Sequence, residues 1–167
     1  MFESIDIDLS WKTQDLMSFL PITLAIVFFI LYWFIAHSTK IKAYYYEKYD
    51  FDKASLKHIF FTKFFGFISM GILPILICLI FLDQVPFSAY GLTIIPETTG
   101  LSLAWTLGLS LIVVPMVYFS AKKPKNLINY PQIKSKTWTR KTMYINLFGW
   151  FIYLLGYELL FRGVLLI

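Results

Sequence analysis

Four long apolar runs, separated by shorter polar stretches, form the main pattern of this 167-residue chain. Each run is long enough to cross a bilayer, because a hydrocarbon core about 30 Å thick takes about 20 helical residues. The runs cover approximately residues 16–36, 59–82, 101–120 and 143–167. We therefore predict an all-α fold, a polytopic membrane helix bundle with four transmembrane helices that forms a single membrane domain over residues 1–167.

The polar stretches between the apolar runs differ in their content of lysine, aromatic residues and proline. The first, His37–His58, carries five lysines and the aromatic run Tyr44–Tyr46, and we interpret it as a loop at the membrane interface. The second, Asp83–Thr99, contains prolines and a glycine but no Lys or Arg, and it predicts an irregular loop. Within the second run, Pro74 predicts a kink. Lys63, near the start of that run, is expected to extend its ammonium outward to the interface.

The composition excludes a soluble globular domain. The chain is 58% apolar and only 15% charged, whereas soluble domains average about 45–50% apolar and about 25% charged residues. The first residues also differ from a secretory signal, because Glu3, Asp6 and Asp8 outnumber Lys12 where such a signal needs basic residues. We expect the first apolar run to remain as a membrane anchor.

The net charge of +5 comes from the connecting stretches and does not indicate a nucleic-acid partner. Lys and Arg residues before the first run and in the three connections number one, five, none and seven. Because cytoplasmic loops are enriched in Lys and Arg, this alternation predicts that the N-terminus and the Asp83–Thr99 loop are outside and that both basic loops are cytoplasmic. The predicted location is the cell membrane, in multi-pass form, with membrane lipids as partners.

Glu158 and Arg162 are the candidate functional residues, because they are ionisable and lie deep within an apolar run. Each costs about 2.5–3.5 kcal/mol at the centre of a spanning helix. Four residues apart, they share one helix face and can form an ion pair. We interpret the pair as a catalytic acid or base held by a cationic partner. The alternative is an ion pair that only joins the fourth helix to its bundle.

A glycine repeat predicts how the fourth helix packs. Gly149, Gly156 and Gly163 recur every seven residues, which makes a small-residue stripe that allows close approach of another helix. Glu158 lies about 200° round the helix from Gly156. The fourth helix is therefore expected to contact neighbours on two sides and to be central in the bundle. The alternative is that glycine is simply frequent in spanning helices.

The sequence from Tyr157 to Gly163, YELLFRG, resembles the first motif of the CAAX protease and bacteriocin-processing family, also called Abi. That motif has the pattern Glu-Glu-x-x-x-Arg and commonly ends in Phe-Arg-Gly. The order upstream is also similar, with several spans, a basic loop that contains Tyr130 and Pro131, and Trp138 before the motif helix. The similarity covers the seven motif residues and, more loosely, about the last forty residues.

The resemblance implies an intramembrane endopeptidase, a hydrolase similar to the type II CAAX prenyl endopeptidases, in which a motif glutamate activates water and later histidines complete the site. By position, Glu158 matches the second motif Glu and Arg162 the motif Arg. Tyr157 stands where the first Glu, usually assigned the catalytic role, is expected, and a phenol with a pKa of about 10 is a poor base at neutral pH. The later motifs, Phe-x-x-x-His and His-x-x-x-Asn, are absent, and we interpret His37 and His58 as interfacial histidines.

We therefore expect the front portion of an Abi-type protease, ending just after its first motif and incomplete for peptide hydrolysis. The implied substrate is a peptide or a prenylated protein, with Glu158 as base and Arg162 as its orienting partner. The competing hypothesis is a non-catalytic membrane protein, such as a bacteriocin-immunity or scaffold factor. No cofactor or metal is predicted, because Cys78 is the single cysteine, interpreted as a core residue, and no Cys or His cluster has metal-ligand spacing.

The helix length also predicts the depth of the candidate site. Glu158 stands fifteen residues beyond Met143, or about 22 Å along a helix that rises 1.5 Å per residue. From a cytoplasmic start this distance passes the midplane of a core about 30 Å thick. We expect the site nearer the extracytoplasmic face.

Overall fold

The computed structural model describes residues 13–91 and 93–167. Regular structure within these two ranges is helical, and no strand occurs in them. Within the described residues, four helices are long and apolar enough to cross a membrane: Asp15–Ala36, Phe51–Phe81, Pro96–Ala121 and Arg140–Leu166. The predicted fold class is therefore confirmed, and the chain is an all-α, multi-pass membrane protein.

The helical elements follow one another with short connections. In chain order they are α1 Thr13–Ala36, α2 Thr39–Lys48, α3 Phe51–Gly66, a first π segment Phe67–Ile72, α4 Leu73–Phe81, a 3₁₀ turn Phe87–Tyr90, α5 Pro96–Ala121, α6 Pro124–Asn129, α7 Arg140–Glu158, a second π segment Leu159–Gly163 and a last 3₁₀ turn Val164–Leu166. The second span is thus α3, the first π segment and α4 in continuity, and the fourth span is α7 with the second π segment and the last 3₁₀ turn.

The predicted loop His37–His58 is wrong, because most of it is helical. Ser38 caps α2, since its Oγ accepts a hydrogen bond from the backbone N–H of Ile41. Asp50 caps α3 in the same way through the backbone N–H of Lys53. Such caps satisfy backbone donors that the first turn of a helix leaves free. The second span consequently begins at Phe51, eight residues before the apolar run.

Three of the four spans pack together around one apolar core. The second span contacts both α1 and the fourth span. The buried core residues include Leu24, Ala25, Met70, Ile75, Cys78, Leu160 and Val164. Cys78 is fully buried, which confirms its interpretation as a small core residue.

The glycine stripe lies where the second and fourth spans cross. A Cβ atom on Gly156 would stand 2.7 Å from the Cα of Phe67, and one on Gly71 would stand 3.0 Å from the Cα of Gly156. Gly149 faces Phe60 and Lys63 at ordinary van der Waals distance. The predicted close approach of a neighbouring helix is therefore confirmed, and the backbone contact itself explains why the crossing requires glycine.

The kink predicted at Pro74 corresponds to a π segment, Phe67–Ile72, that ends two residues before the proline. Proline has no N–H and crowds the carbonyl of the preceding turn. In the first π segment the backbone N–H of Leu73 donates instead to the carbonyl of Ile68, five residues back. The wider turn also brings Gly71 against the fourth span.

The third span, α5, stands apart from this core. None of its described residues is buried, and α6 is the element it mainly contacts. Apolar residues occur all round the helix, and lipid can cover every side of such a helix. The predicted helix-bundle fold class holds, and within it α5 makes few contacts with the other spans.

The two basic connections meet at one end of the packed spans. The carboxylate of Asp52 accepts hydrogen bonds from the backbone N–H of Lys136 at 3.0 Å and from the hydroxyl of Thr137 at 3.3 Å. The hydroxyl of Ser55 accepts one from the backbone N–H of Lys134 at 2.8 Å. The two basic connections thus lie together at the same end of the packed spans.

Candidate functional site

Glu158 and Arg162 lie at a change of helix geometry. Glu158 is the last residue of α7, and Arg162 belongs to the second π segment, where the N–H of Val164 donates to the carbonyl of Leu159. Arg162 Nε is 2.6 Å from Glu158 Oε2, a short charge-assisted contact. The predicted ion pair is confirmed. Single π turns inside α-helices are frequent at functional sites.

The pair faces away from the packed core. The Glu158 side chain is 49% exposed and that of Arg162 is 79% exposed. The fourth span contacts both the second span and α1, but no described span covers the side that carries Glu158. The reason is geometric, because the glycine stripe uses the opposite side of the helix and α5, the remaining span, stands apart.

Tyr157 lies on the same turn and is partly exposed. Its ring contacts that of Phe161, with centroids 4.4 Å apart. The residue at the first Glu position of the motif is therefore part of an aromatic pair beside the ion pair. This environment provides packing surface and a hydroxyl, but no second carboxylate.

The Asp83–Thr99 connection lies against the end of the fourth span. A Cβ on Gly163 would stand 2.9 Å from the carbonyl oxygen of Tyr90. Gly91 has a φ of +71°, a left-handed conformation that favours glycine, and it lies near the carbonyl of Arg162. The candidate residues are thus at the end of the spans opposite the basic connections.

The histidines lie at the other end of the protein from Glu158. His37 follows α1, and its Nδ1 is 2.9 Å from the carbonyl oxygen of Trp33. His58 is in α3, within the segment where the basic connections meet. Neither residue is positioned to join Glu158 in one catalytic centre. Within residues 13–91 and 93–167, no group of three His, Cys, Asp or Glu side chains could hold a metal ion.

Lys63 does not extend to the interface as predicted. It is only 5% exposed, and its Nζ lies 3.2 Å from the ring centroid of Trp150 and 4.4 Å from that of Tyr153. The two rings belong to α7 and cover the ammonium by cation–π contact. No local sequence pattern could predict this burial, because Trp150 and Tyr153 are far from Lys63 along the chain.

A polar pocket of about 350 Å³ lies beside Lys63. It is lined by Tyr32, Ala36, His37, His58, Ile59, Thr62, Lys63, Ile128, Gln132 and Lys134. These residues lie in four separate parts of the predicted topology: the first span, the first basic loop, the second span and the second basic loop. The fold brings them together because the two basic connections are hydrogen-bonded to each other.

Comparisons of the chain with family models, with curated proteins and with solved structures found no match. The resemblance to the Abi family therefore rests on the sequence pattern alone, the motif residues Tyr157 to Gly163 and the looser upstream order.

Proposed function

We propose that the fourth span carries the first motif of an Abi-type intramembrane endopeptidase. In this proposal Glu158 is the general base that activates water for peptide-bond hydrolysis, and Arg162 holds and orients its carboxylate. The observation that supports it is the short contact between the two side chains on a face that no described helix covers. A peptide in the membrane could reach this face from the side.

Residues 1–167 alone should bind a peptide without cleaving it. General-base catalysis of hydrolysis also needs groups that position the water and stabilise the oxyanion. Tyr157 replaces the first motif Glu, and the two histidines of the sequence are His37 and His58, at the far end of the spans. The same departure at Tyr157 supports the alternative, a bacteriocin-immunity or scaffold factor that binds its partner through this face.

Peptide binding by the purified protein in lipid nanodiscs tests the proposal. A fluorescent prenylated CAAX peptide and its unprenylated counterpart should both be examined, by anisotropy for binding and by mass spectrometry for cleavage. Glu158→Gln and Arg162→Gln should each weaken binding about tenfold, as expected for loss of a charge-assisted contact. Glu97→Gln, which removes a carboxylate from the first turn of α5, is the matched control.

Two results would each contradict one part of this proposal, the first the peptide site and the second the expectation of binding without cleavage. Equal binding by the parent and both motif variants would show that the ion pair is not part of a peptide site. Cleavage by residues 1–167 that Glu158→Gln abolishes would show that the described groups suffice for hydrolysis.

We also propose that the protein lies in the cell membrane with its N-terminus outside and both basic connections in the cytoplasm. The alternation of Lys and Arg supports this orientation. Single cysteines at Ser88 and Lys125, both exposed, should react with an impermeant thiol reagent from opposite sides, Ser88 from outside. Cys78 is buried and should contribute little background. Labelling of both sites from one side would refute the topology.

A further inference from the structure

We propose that the pocket between α1, α3 and the segment before α7 binds a phosphate group, carried by an anionic lipid or free in water. The lining side chains supply hydrogen-bond donors from three separate parts of the chain. They include two lysines and two histidines, and no Asp or Glu is among the lining residues that the structure describes. The pocket therefore attracts negative charge and offers no carboxylate to oppose it.

Lys63 provides a buried positive charge that has no counter-ion among the described residues. Its side chain is held over Trp150 and Tyr153, and no ion pair or hydrogen bond joins its ammonium to another described residue. Cation–π contacts compensate only part of the cost of burying a charge. The ammonium carries three hydrogens that can be donated. An anion in the adjoining pocket would accept them and neutralise the charge.

His58 is a second, independent sign of a missing partner. It is 7% exposed, and its Nε2 is buried without a hydrogen-bond partner in the described protein. The rings of Tyr45 and Tyr46 lie against the imidazole, with centroids 5.9 and 6.5 Å away. Buried polar atoms almost always have a partner. His58 therefore brings an unpaired nitrogen, enclosed by protein, to the wall of this polar pocket.

The other side of the pocket is fixed by the second basic connection. Lys134 donates from its backbone N–H to Ser55 and from Nζ to the carbonyl of Ile128, both at 2.8 Å. These bonds hold its ammonium at the rim and leave two of its hydrogens available. Gln132 and Thr62 add further polar groups to the lining. Ile133, between Gln132 and Lys134, is 1% exposed and anchors the segment to the packed spans.

A phosphate suits this arrangement better than a carboxylate. A phosphate monoester presents three strongly accepting oxygens, which donors on several sides of a pocket can share, whereas a carboxylate presents two. The pocket also lies where the two basic connections meet, the level at which anionic lipid headgroups attract Lys and Arg. Its 350 Å³ is room for a headgroup phosphate rather than for a whole lipid.

Fluorescence of Trp150 can report binding, because the Lys63 ammonium lies directly over its indole. The purified protein in neutral detergent would be titrated with dioctanoyl phosphatidic acid and with dioctanoylglycerol, which differ by the phosphate. In a second titration, inorganic phosphate is compared with chloride at equal ionic strength. We expect a saturable response to phosphatidic acid that dioctanoylglycerol does not give and that Trp150→Phe abolishes.

Variants then locate the site. Lys63→Gln should weaken the apparent affinity about tenfold, the loss expected for one charge-assisted contact. Lys125→Gln, an exposed lysine in the same connection as Lys134 but outside the pocket lining, should leave the affinity unchanged. If Lys63→Gln does not fold, Lys134→Gln at the exposed rim of the pocket tests the site instead. It should weaken the apparent affinity about threefold.

Each outcome bears on the proposal. A response to phosphatidic acid alone identifies a lipid phosphate, and a response to inorganic phosphate as well identifies a site for the free anion. The proposal is overturned if neither ligand gives a saturable response, if dioctanoylglycerol acts equally, or if Lys125→Gln weakens binding as much as the pocket variants do.

Discussion

The fourth span and α5 have similar lengths and similar apolar character, yet only the fourth span packs. The fourth span places Gly156 against the backbone of the second span, with no room for a Cβ. On α5, Cβ atoms added at Gly100 and Gly108 would meet nothing within 4 Å. An apolar surface is therefore sufficient for both helices to insert in the membrane but not for packing, because lipid covers apolar surface as well as another helix does. Only the helix whose backbone can approach a neighbour closely joins the core.

The polar residues of the two helices differ in the same way. On α5 the hydroxyl of Thr106 donates to the carbonyl of Ser102, and that of Ser110 donates to the carbonyl of Thr106. These hydroxyls are satisfied within their own helix and offer little to a neighbour. The fourth span instead exposes Glu158 and Arg162. Their mutual contact leaves further carboxylate acceptor sites and guanidinium N–H donors available to an external partner.

The largest expected effect is at the glycine crossing. Gly156→Ala would force a methyl group to within 2.7 Å of the Phe67 backbone, and such overpacking should cost about 3 kcal/mol in the free energy of unfolding. Gly108→Ala on α5 is the matched control and should be neutral or stabilising by up to about 1 kcal/mol. Reversible unfolding in mixed micelles measures both. Equal changes in unfolding free energy for the two substitutions would contradict the conclusion that the fourth span packs closely and α5 does not.

The ion pair should give the next largest effect. Glu158→Gln leaves Arg162 charged without its partner on an apolar helix, and this should cost about 2 kcal/mol in stability. The double variant Glu158→Gln, Arg162→Leu removes both charges and should recover most of that loss. Glu97→Gln on α5 should change stability little. If the single and double variants unfold alike, the two side chains do not interact in the membrane.

A smaller effect is expected at Tyr90, which packs against Gly163. Its hydroxyl is buried without a hydrogen-bond partner in the described protein, and burial raises the pKa of the phenol, so the group stays protonated. Tyr90→Phe removes an unpaired polar atom and should stabilise the protein by about 1 kcal/mol. Tyr118→Phe on exposed α5 should have no effect. A clear loss of stability in Tyr90→Phe would show that the hydroxyl has a partner.

The features that could be predicted from the sequence are those that depend on a local pattern of residues. Run length identified the spans, the seven-residue glycine repeat identified the packed face, and the spacing of Glu158 and Arg162 identified their contact. The sequence also contained signals that went unused, since Ser38 and Asp50 are good N-cap residues ahead of helical segments. The burial of Lys63 could not be predicted, because its aromatic partners lie in another span. The isolation of α5 is likewise a property of the whole assembly.

We propose that the fourth span packs through its glycine stripe and that its exposed side, with Glu158, Phe161 and Arg162, binds a peptide. A photoreactive amino acid at Phe161 tests this directly, with one at Phe119 on exposed α5 as the comparison. In nanodiscs with a labelled prenylated CAAX peptide, we expect capture at 161 that Glu158→Gln lowers and that excess unlabelled peptide competes. At 119 capture should be weak and independent of Glu158. Equal capture at both positions, unaffected by Glu158→Gln, would contradict the account.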